Sequence, residues 1–242
     1  SNVTRLQHET AQLGTLSMVT AAAPTAAAPT ATFVAYLIQG KASSHDLWSK
    51  RVGTIPNADL YYLSYDEPCE GCIDGKGTTQ MEGLNRLVRH VLTTQQPRRR
   101  VEAYKYYVRV DDDIEMTCDT SVIHKRVVGR PALCWQSFTA MLLNPSTVSR
   151  VVAPKSSFDP KNEASNDQTC VDEEIWAIRH DALSMIFPLP KPFIEGGSWW
   201  ERQHVVWELF RKCEPFAFRS RSEWRSINPT HSDYPTGVHK EQ

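Results

Sequence analysis

From Thr32 to Ile38 the chain reads Thr-Phe-Val-Ala-Tyr-Leu-Ile, a nearly unbroken apolar run stopped by Gln39-Gly40. Such a run suits a central strand covered on both faces. Residues 44–51 follow with a helical pattern in which Ser44 is placed as the N-cap. A second strand signal, Asp59 to Tyr65, ends on Asp66-Glu67. After a Cys- and Gly-containing loop, Met81, Leu84, Leu87, Val88, Val91 and Leu92 fall at helical spacing across 79–94. A third strand signal, Lys105 to Val110, runs into Asp111-Asp112-Asp113. Strand, helix, strand, helix, strand predicts an α/β domain with a mostly parallel central sheet flanked by helices.

Beyond the triplet the pattern is less regular. It predicts helices over 117–128 and 136–143, a strand over 148–153, and another over 169–178 that leads into a helix over 180–186. Pro188, Pro190 and Pro192 force an extended loop. A helix then starts at Ser198-Trp199-Trp200-Glu201 and runs to about 213, a short strand follows at 216–219, and the last twenty residues read as coil. Trp135, Trp176, Trp207 and Trp224 are expected in the core or at its edge, while Trp199 and Trp200 divide between packing and a platform for a sugar face. Residues 1–31 contrast with all of this. Their Ala-, Thr- and Pro-rich repeat cannot bury a core and predicts a tail or stalk, leaving 32–242 as a single folded domain.

Composition narrows the classes. The 242 residues suffice for one medium domain, and 40% apolar with 23% charged side chains is ordinary for a globular protein. A net charge of −1, from 27 basic and 28 acidic residues, lacks the basic excess of a nucleic-acid-binding surface. Arg98-Arg99-Arg100 reads as a solvated loop. No run has the length of a membrane helix. Because the chain opens on Ser-Asn, an anchor upstream stays open: with one, the secretory or Golgi lumen is expected, without one the cytoplasm. Six cysteines are too few for a disulfide scaffold. Cys69-Glu70-Gly71-Cys72 has zinc or redox spacing but no second pair follows, and the plainer readings are a local disulfide, if the protein is luminal, or two loop thiols.

Three consecutive aspartates repel one another unless a cation compensates them. Ligands of parallel α/β sheets bind beyond the carboxyl ends of the strands. Here those ends carry Gln39-Gly40, Asp66-Glu67 and the triplet, all expected to face one crevice. Alternation would turn Asp111 and Asp113 to one side and Asp112 to the other. Two hard oxygen donors, with phosphate oxygens and water, suit Mg²⁺ or Mn²⁺. The plainer reading is a solvated acidic turn.

Tyr106 to Glu115, Tyr-Tyr-Val-Arg-Val-Asp-Asp-Asp-Ile-Glu, resembles the D-x-D region of GT-A glycosyltransferases. The helix start Thr78 to Asn85 resembles the segment those enzymes place before that strand, and the resemblance spans about 33–235. Similar sequences belong to a poorly characterised algal, plant, protist and viral group. The resemblance implies a GT-A-like, Rossmann-like fold with 32–116 as the nucleotide-sugar-binding half and 117–242 as the acceptor-binding half. It implies Mn²⁺ or Mg²⁺ as cofactor, a donor that is most simply UDP-linked, and a glycan or glycoprotein acceptor, with hexosyl or pentosyl transfer as the reaction. Asp113 and Asp111 would bind the metal, His231 would add a contact, and His239 is the second choice. Gln39, Gly40, Asp66, Asn85, Asp111 and Asp112 would line the donor.

An inverting transfer needs a carboxylate base. Glu201, Asp172 and Glu173 are the leading candidates, with Glu174 and Glu195 behind them. Ser198-x-x-Glu201 is also a capping box, so Glu201 has a structural role available. Two alternatives remain open: a metal-dependent nucleotidyltransferase or phosphohydrolase, and a non-catalytic carbohydrate-binding pseudoenzyme.

Overall fold

A computed structural model of the protein describes residues 33–94, 104–118, 131–156, 175–191, 194, 206, 208–210 and 219–227. The expected tail at 1–31, Arg98–Arg100, Asp172, Glu173, Glu174, Glu195, Trp199, Trp200, Glu201, Trp207, His231 and His239 lie outside those residues. The chain forms β1 (Phe33–Gly40), a 3-10 turn (Ala42–Ser44), α1 (His45–Gly53), β2 (Ala58–Ser64), β3 (Ile73–Asp74) and α2 (Gln80–Thr93). It continues with β4 (Tyr104–Asp111), β5 (Glu115–Cys118), α3 (Pro131–Leu143), β6 (Val151–Ser156), β7 (Ile175–Arg179), α4 (His180–Ile186) and β8 (Arg219–Ile227).

The strands make one sheet in the order β3-β2-β1-β4-β7-β6-β8-β5. β1 is parallel to β2 and to β4, and β3 is parallel to β2. β7 is antiparallel to both β4 and β6, β8 is parallel to β6, and β5 is antiparallel to β8. Six of the eight described strands therefore point one way, with β5 and β7 against them, and the mostly parallel sheet expected from the pattern is present.

Helices cover both faces. Leu37, Leu63 and Tyr107 pack against Leu84, Leu87 and Val88 of α2 and Leu183 of α4. Tyr36, Ile38, Tyr106 and Val108 pack on the other face against Trp48 and Val52 of α1 and Trp135 and Phe138 of α3. The alternation that divides them is that of a strand, whose successive side chains point to opposite faces. The chain leaves β1 through α1 toward β2, then returns through α2 to β4 on the other side of β1. The order thus reverses between β1 and β4, and the crevice where ligands of such sheets bind opens there.

Three expectations change, and the open reading of Cys69 and Cys72 resolves to one of its alternatives. Residues 115–118 form β5 rather than the start of a helix, because Met116 is buried and Glu115 and Thr117 are exposed along a strand held by β8. The coil expected at the end contains most of β8, in which Trp224 and Ser226 are buried between Glu223, Arg225 and Ile227. Ser44 does not cap α1 with its side chain: the preceding 3-10 turn gives it helical φ and ψ, and its hydroxyl bonds Asp112 and Tyr62. The helix cap with side-chain bonds is Thr79, paired with Glu82 in a capping box at the start of α2. Finally, Cys69 and Cys72 form a disulfide, and a second joins Cys118 of β5 to Cys134 of α3. No described helix is long and apolar enough to cross a membrane.

Candidate functional site

The ends of β1 and β4 meet in register, Gln39 opposite Asp111. Asp111 closes β4, and its backbone carbonyl accepts from the Ile114 N–H at 3.3 Å, so Asp112 and Asp113 form a turn instead of continuing the strand. Strict alternation therefore governs Asp111 and Asp112 but stops before Asp113. At this turn the chain leaves β4 and enters β5, at the opposite edge of the sheet.

Asp111 faces the α2 side. Its Oδ1 accepts from Arg109 Nη2 at 2.6 Å and from Gln80 Nε2 at 3.4 Å. Arg109 is a buried cation in the middle of an apolar strand, and this carboxylate is its ion-pair partner. Asp112 faces the α1 side. Its Oδ2 accepts from the Lys41 backbone N–H at 3.0 Å, and its carbonyl accepts from Trp48 Nε1 at 2.9 Å. Burial, opposed by the Lys41 and Ser44 hydrogen bonds, pushes the Asp112 carboxyl above its ordinary value. Asp113 is half-buried at the apex.

Gly40 explains how the turn sits so close to β1. A Cβ there would come 2.2 Å from Asp112 Cβ and 2.4 Å from the Tyr62 hydroxyl, so only glycine admits this approach. Tyr62 in turn donates to the Lys41 carbonyl at 2.7 Å. Asp66 holds the adjoining loop: its Oδ1 accepts from the Ala42 N–H, the Glu67 N–H and the Ser64 hydroxyl. The Ala42 N–H is the main reason its carboxyl lies below the ordinary value.

Gln39 is buried, and its Oε1 has no hydrogen-bond partner among the described residues. Its amide packs so closely on α2 that a Cβ at Gly83 would lie 2.2 Å from Nε2. A buried acceptor without a donor is costly, and this one stands at the strand end beside Asp111. Asn85 is placed differently. Its Nδ2 donates to the Leu189 carbonyl at 2.9 Å and its Oδ1 accepts the Leu189 N–H at 2.8 Å, a clamp between α2 and the segment after α4.

Tyr65, Gln80 and Arg109 belong to the site without having been singled out in the sequence. Tyr65 follows β2, is 37% exposed, and donates its backbone N–H to the Gly40 carbonyl. Its hydroxyl is pushed up to about 12, first by burial and then by Asp112, Asp66, Asp113 and Asp111, which places it amid all four carboxylates. An aromatic between an apolar strand and an acidic pair, Ser64-Tyr65-Asp66, was the available signal.

For a divalent cation the relevant test is the donor set. Among the described residues, the group of three ligand atoms close enough to share an ion is His45, Cys69 and Cys72, and both cysteines of that group are in the disulfide. The aspartates offer fewer than three converging ligands. That suits Mg²⁺ or Mn²⁺ arriving with phosphate, since such ions are held by one or two carboxylates while phosphate oxygens and waters complete the shell.

Neither a protein-family model nor a curated protein matches the chain. Among solved structures, it is similar to a glycosyltransferase involved in the glycosylation of the major capsid of PBCV-1, at 12% identity, covering 78% of this chain and 81% of that one, with a TM-score of 0.43. It is also similar to the apo-form glycosyltransferase GlyE of Streptococcus pneumoniae TIGR4, at 12% identity, covering 79% of this chain and 45% of that one, with a TM-score of 0.38.

Proposed function

We propose that the protein is a metal-dependent glycosyltransferase that takes a nucleotide-sugar, most simply a UDP-sugar, and passes its sugar to a glycan or glycoprotein acceptor. The observation that carries this reading is the β1/β4 crevice, where the orphan acceptor Gln39 Oε1 lies beside Asp111 at the point where strand order reverses. A base N–H satisfies that oxygen. The half-exposed Tyr65 ring offers a flat face to the same base. Asp111, oriented by Arg109 and Gln80, and Asp113 at the turn apex hold Mn²⁺ or Mg²⁺. When bound, the metal neutralises charge on the diphosphate leaving group. Asp112 and Asp66 act one step back, fixing the Lys41–Ser44 loop that walls the crevice. The base is drawn from Glu201, Asp172 and Glu173, and His231 is the further metal contact.

The decisive measurement is thermal stabilisation by UDP with Mn²⁺, followed by a panel of nucleotide-sugars assayed for Mn²⁺-dependent sugar release. The wild type is expected to be stabilised and Asp113→Ala is not. Stabilisation that survives Asp113→Ala overturns the assignment. Release of nucleotide monophosphate in place of free sugar points to the phosphohydrolase alternative, and binding without turnover of any donor points to the carbohydrate-binding one.

A further inference from the structure

Glu82, Arg86 and Arg89 recur at helical spacing on α2, on the face opposite Leu84, Leu87, Val88 and Val91, which pack on the sheet. Over that outer face lies a cleft of about 420 Å³, between α2, the Lys76–Thr78 turn, Lys191 and Ile194. Among the described residues four cations line it, Lys76, Arg86, Arg89 and Lys191, against a single carboxylate, Glu82.

That carboxylate is already used, since Glu82 Oε2 accepts the Thr79 N–H at 2.8 Å in the capping box. Arg86 donates to the Asp74 backbone carbonyl, and the Asp74 carboxylate accepts the Lys76 backbone N–H. None of the four cations forms an ion pair among the described residues. Buried Ile194 supplies an apolar wall, and nothing lies within 4 Å of the position a Cβ would take on Gly77 at the rim. Like charges gathered around a concave wall repel one another, and the field they focus in the cleft favours an anion. Arginine forks match the oxygens of phosphate and sulfate, and lysines add point charge.

We propose that this cleft is a binding subsite for an oxyanion ester, a phosphate or sulfate group carried by a ligand. It is separate from the carboxylate crevice, because none of Gln39, Tyr65, Asp66, Asp111, Asp112 and Asp113 lines it. The inference therefore stands independently of glycosyl transfer. Should that reading hold as well, the charged group belongs to the acceptor rather than to the donor diphosphate.

Calorimetric titration of the full chain in EDTA, which silences any metal-dependent diphosphate site, tests this with two probes. One is inorganic pyrophosphate. The other is a fully sulfated hexasaccharide run beside its desulfated counterpart. At least one probe is expected to bind, with affinity falling as salt rises. Arg89→Glu/Lys191→Glu is expected to weaken it about tenfold or more, while Asp113→Ala leaves it unchanged. Binding of pyrophosphate alone assigns a phosphate source, and of the sulfated sugar alone a sulfated glycan. Lys191→Ala, a milder change at an exposed position, gives a weaker loss in the same direction and serves if the double variant misfolds. The proposal is overturned if neither probe binds, if binding survives both charge reversals, or if Asp113→Ala abolishes it.

Discussion

β1 and the β5–β8 pair are built on different principles. Every residue of β1 after Phe33 is buried, and β4 is buried from Tyr106 to Val110, because helices cover both faces of these strands. No side chain in their interiors reaches solvent, so polar chemistry is confined to the carboxyl ends, where Gln39, Gly40 and Asp111 stand. β5 and β8, at the other edge, bury alternate residues such as Met116 and Trp224. Their work is mechanical: Trp224 packs edge-on against Phe138 and donates to Ser137, and Cys118 is bonded to Cys134. One region carries the site proposed to bind ligands, and the other fastens the turn that carries the aspartates.

The largest expected effect tests that fastening. Trp224→Ala should cost about 3–5 kcal/mol, the range for emptying a buried tryptophan site, measured by urea unfolding. A loss below about 1 kcal/mol would show β8 to be dispensable and break the contrast.

Gly40→Ala comes next. The Cβ contact with Asp112 forces the turn outward at about 1–3 kcal/mol, and stabilisation by Mn²⁺ and UDP should disappear with it. An alanine that keeps both stability and ligand response would mean that the turn adjusts freely.

The contrast sharpens within the triplet. Asp112→Ala strands the Lys41 N–H and the Ser44 hydroxyl and should cost about 1–2 kcal/mol. Asp113→Ala should cost less stability than Asp112→Ala does, yet remove the metal–UDP response. Paired unfolding and thermal-shift measurements separate the two.

The smallest effect lies on β7 and α4. Asp181 accepts from Arg179 Nε and Nη2, both at 2.6 Å, and lies 3.3 Å from Arg150. Arg179 first, and Arg150 after it, holds its carboxyl below the ordinary value. A depressed carboxyl stabilises the fold above the unfolded-state pKa of about 4, and that contribution is lost as pH falls through the lower folded-state value. The site is 46% exposed, so Asp181→Asn should cost under about 1 kcal/mol near pH 6. Below the folded value the variant and the wild type should converge, and a gap that persists in strong acid would rule the ion pair out as its cause.

The parallel half was legible because α1 follows β1 and α2 follows the β2–β3 pair along the chain, each covering the sheet it has just left. The apolar run of β1, the period of α2 and the run of β4 are local statements about burial. β5 and β8 were not legible. Glu-Met-Thr-Cys holds a single alternation, and Arg219 to Ile227 has one large apolar residue before its last position; their pairing joins residues more than a hundred positions apart. The site divides in the same way. Gln39 and Asp111 follow from where strands end. Asp66 bonding to Ala42, Asn85 clamping Leu189 and Tyr65 lying among the carboxylates depend on loops that meet only in three dimensions.

By itself, the sequence of this protein determined which segments are buried on both faces, and so where charged residues had to collect. Side-chain period and hydrophobicity are properties of neighbouring residues, and they are sufficient for that much. The tertiary structure alone decided what each aspartate does. Asp111 answers a buried arginine, Asp112 ties down the β1–α1 loop, and Asp113 stands half-buried at the apex of the turn. These roles depend on which distant backbone groups and cations lie within hydrogen-bond reach, and that distance is set by the packing of the whole sheet.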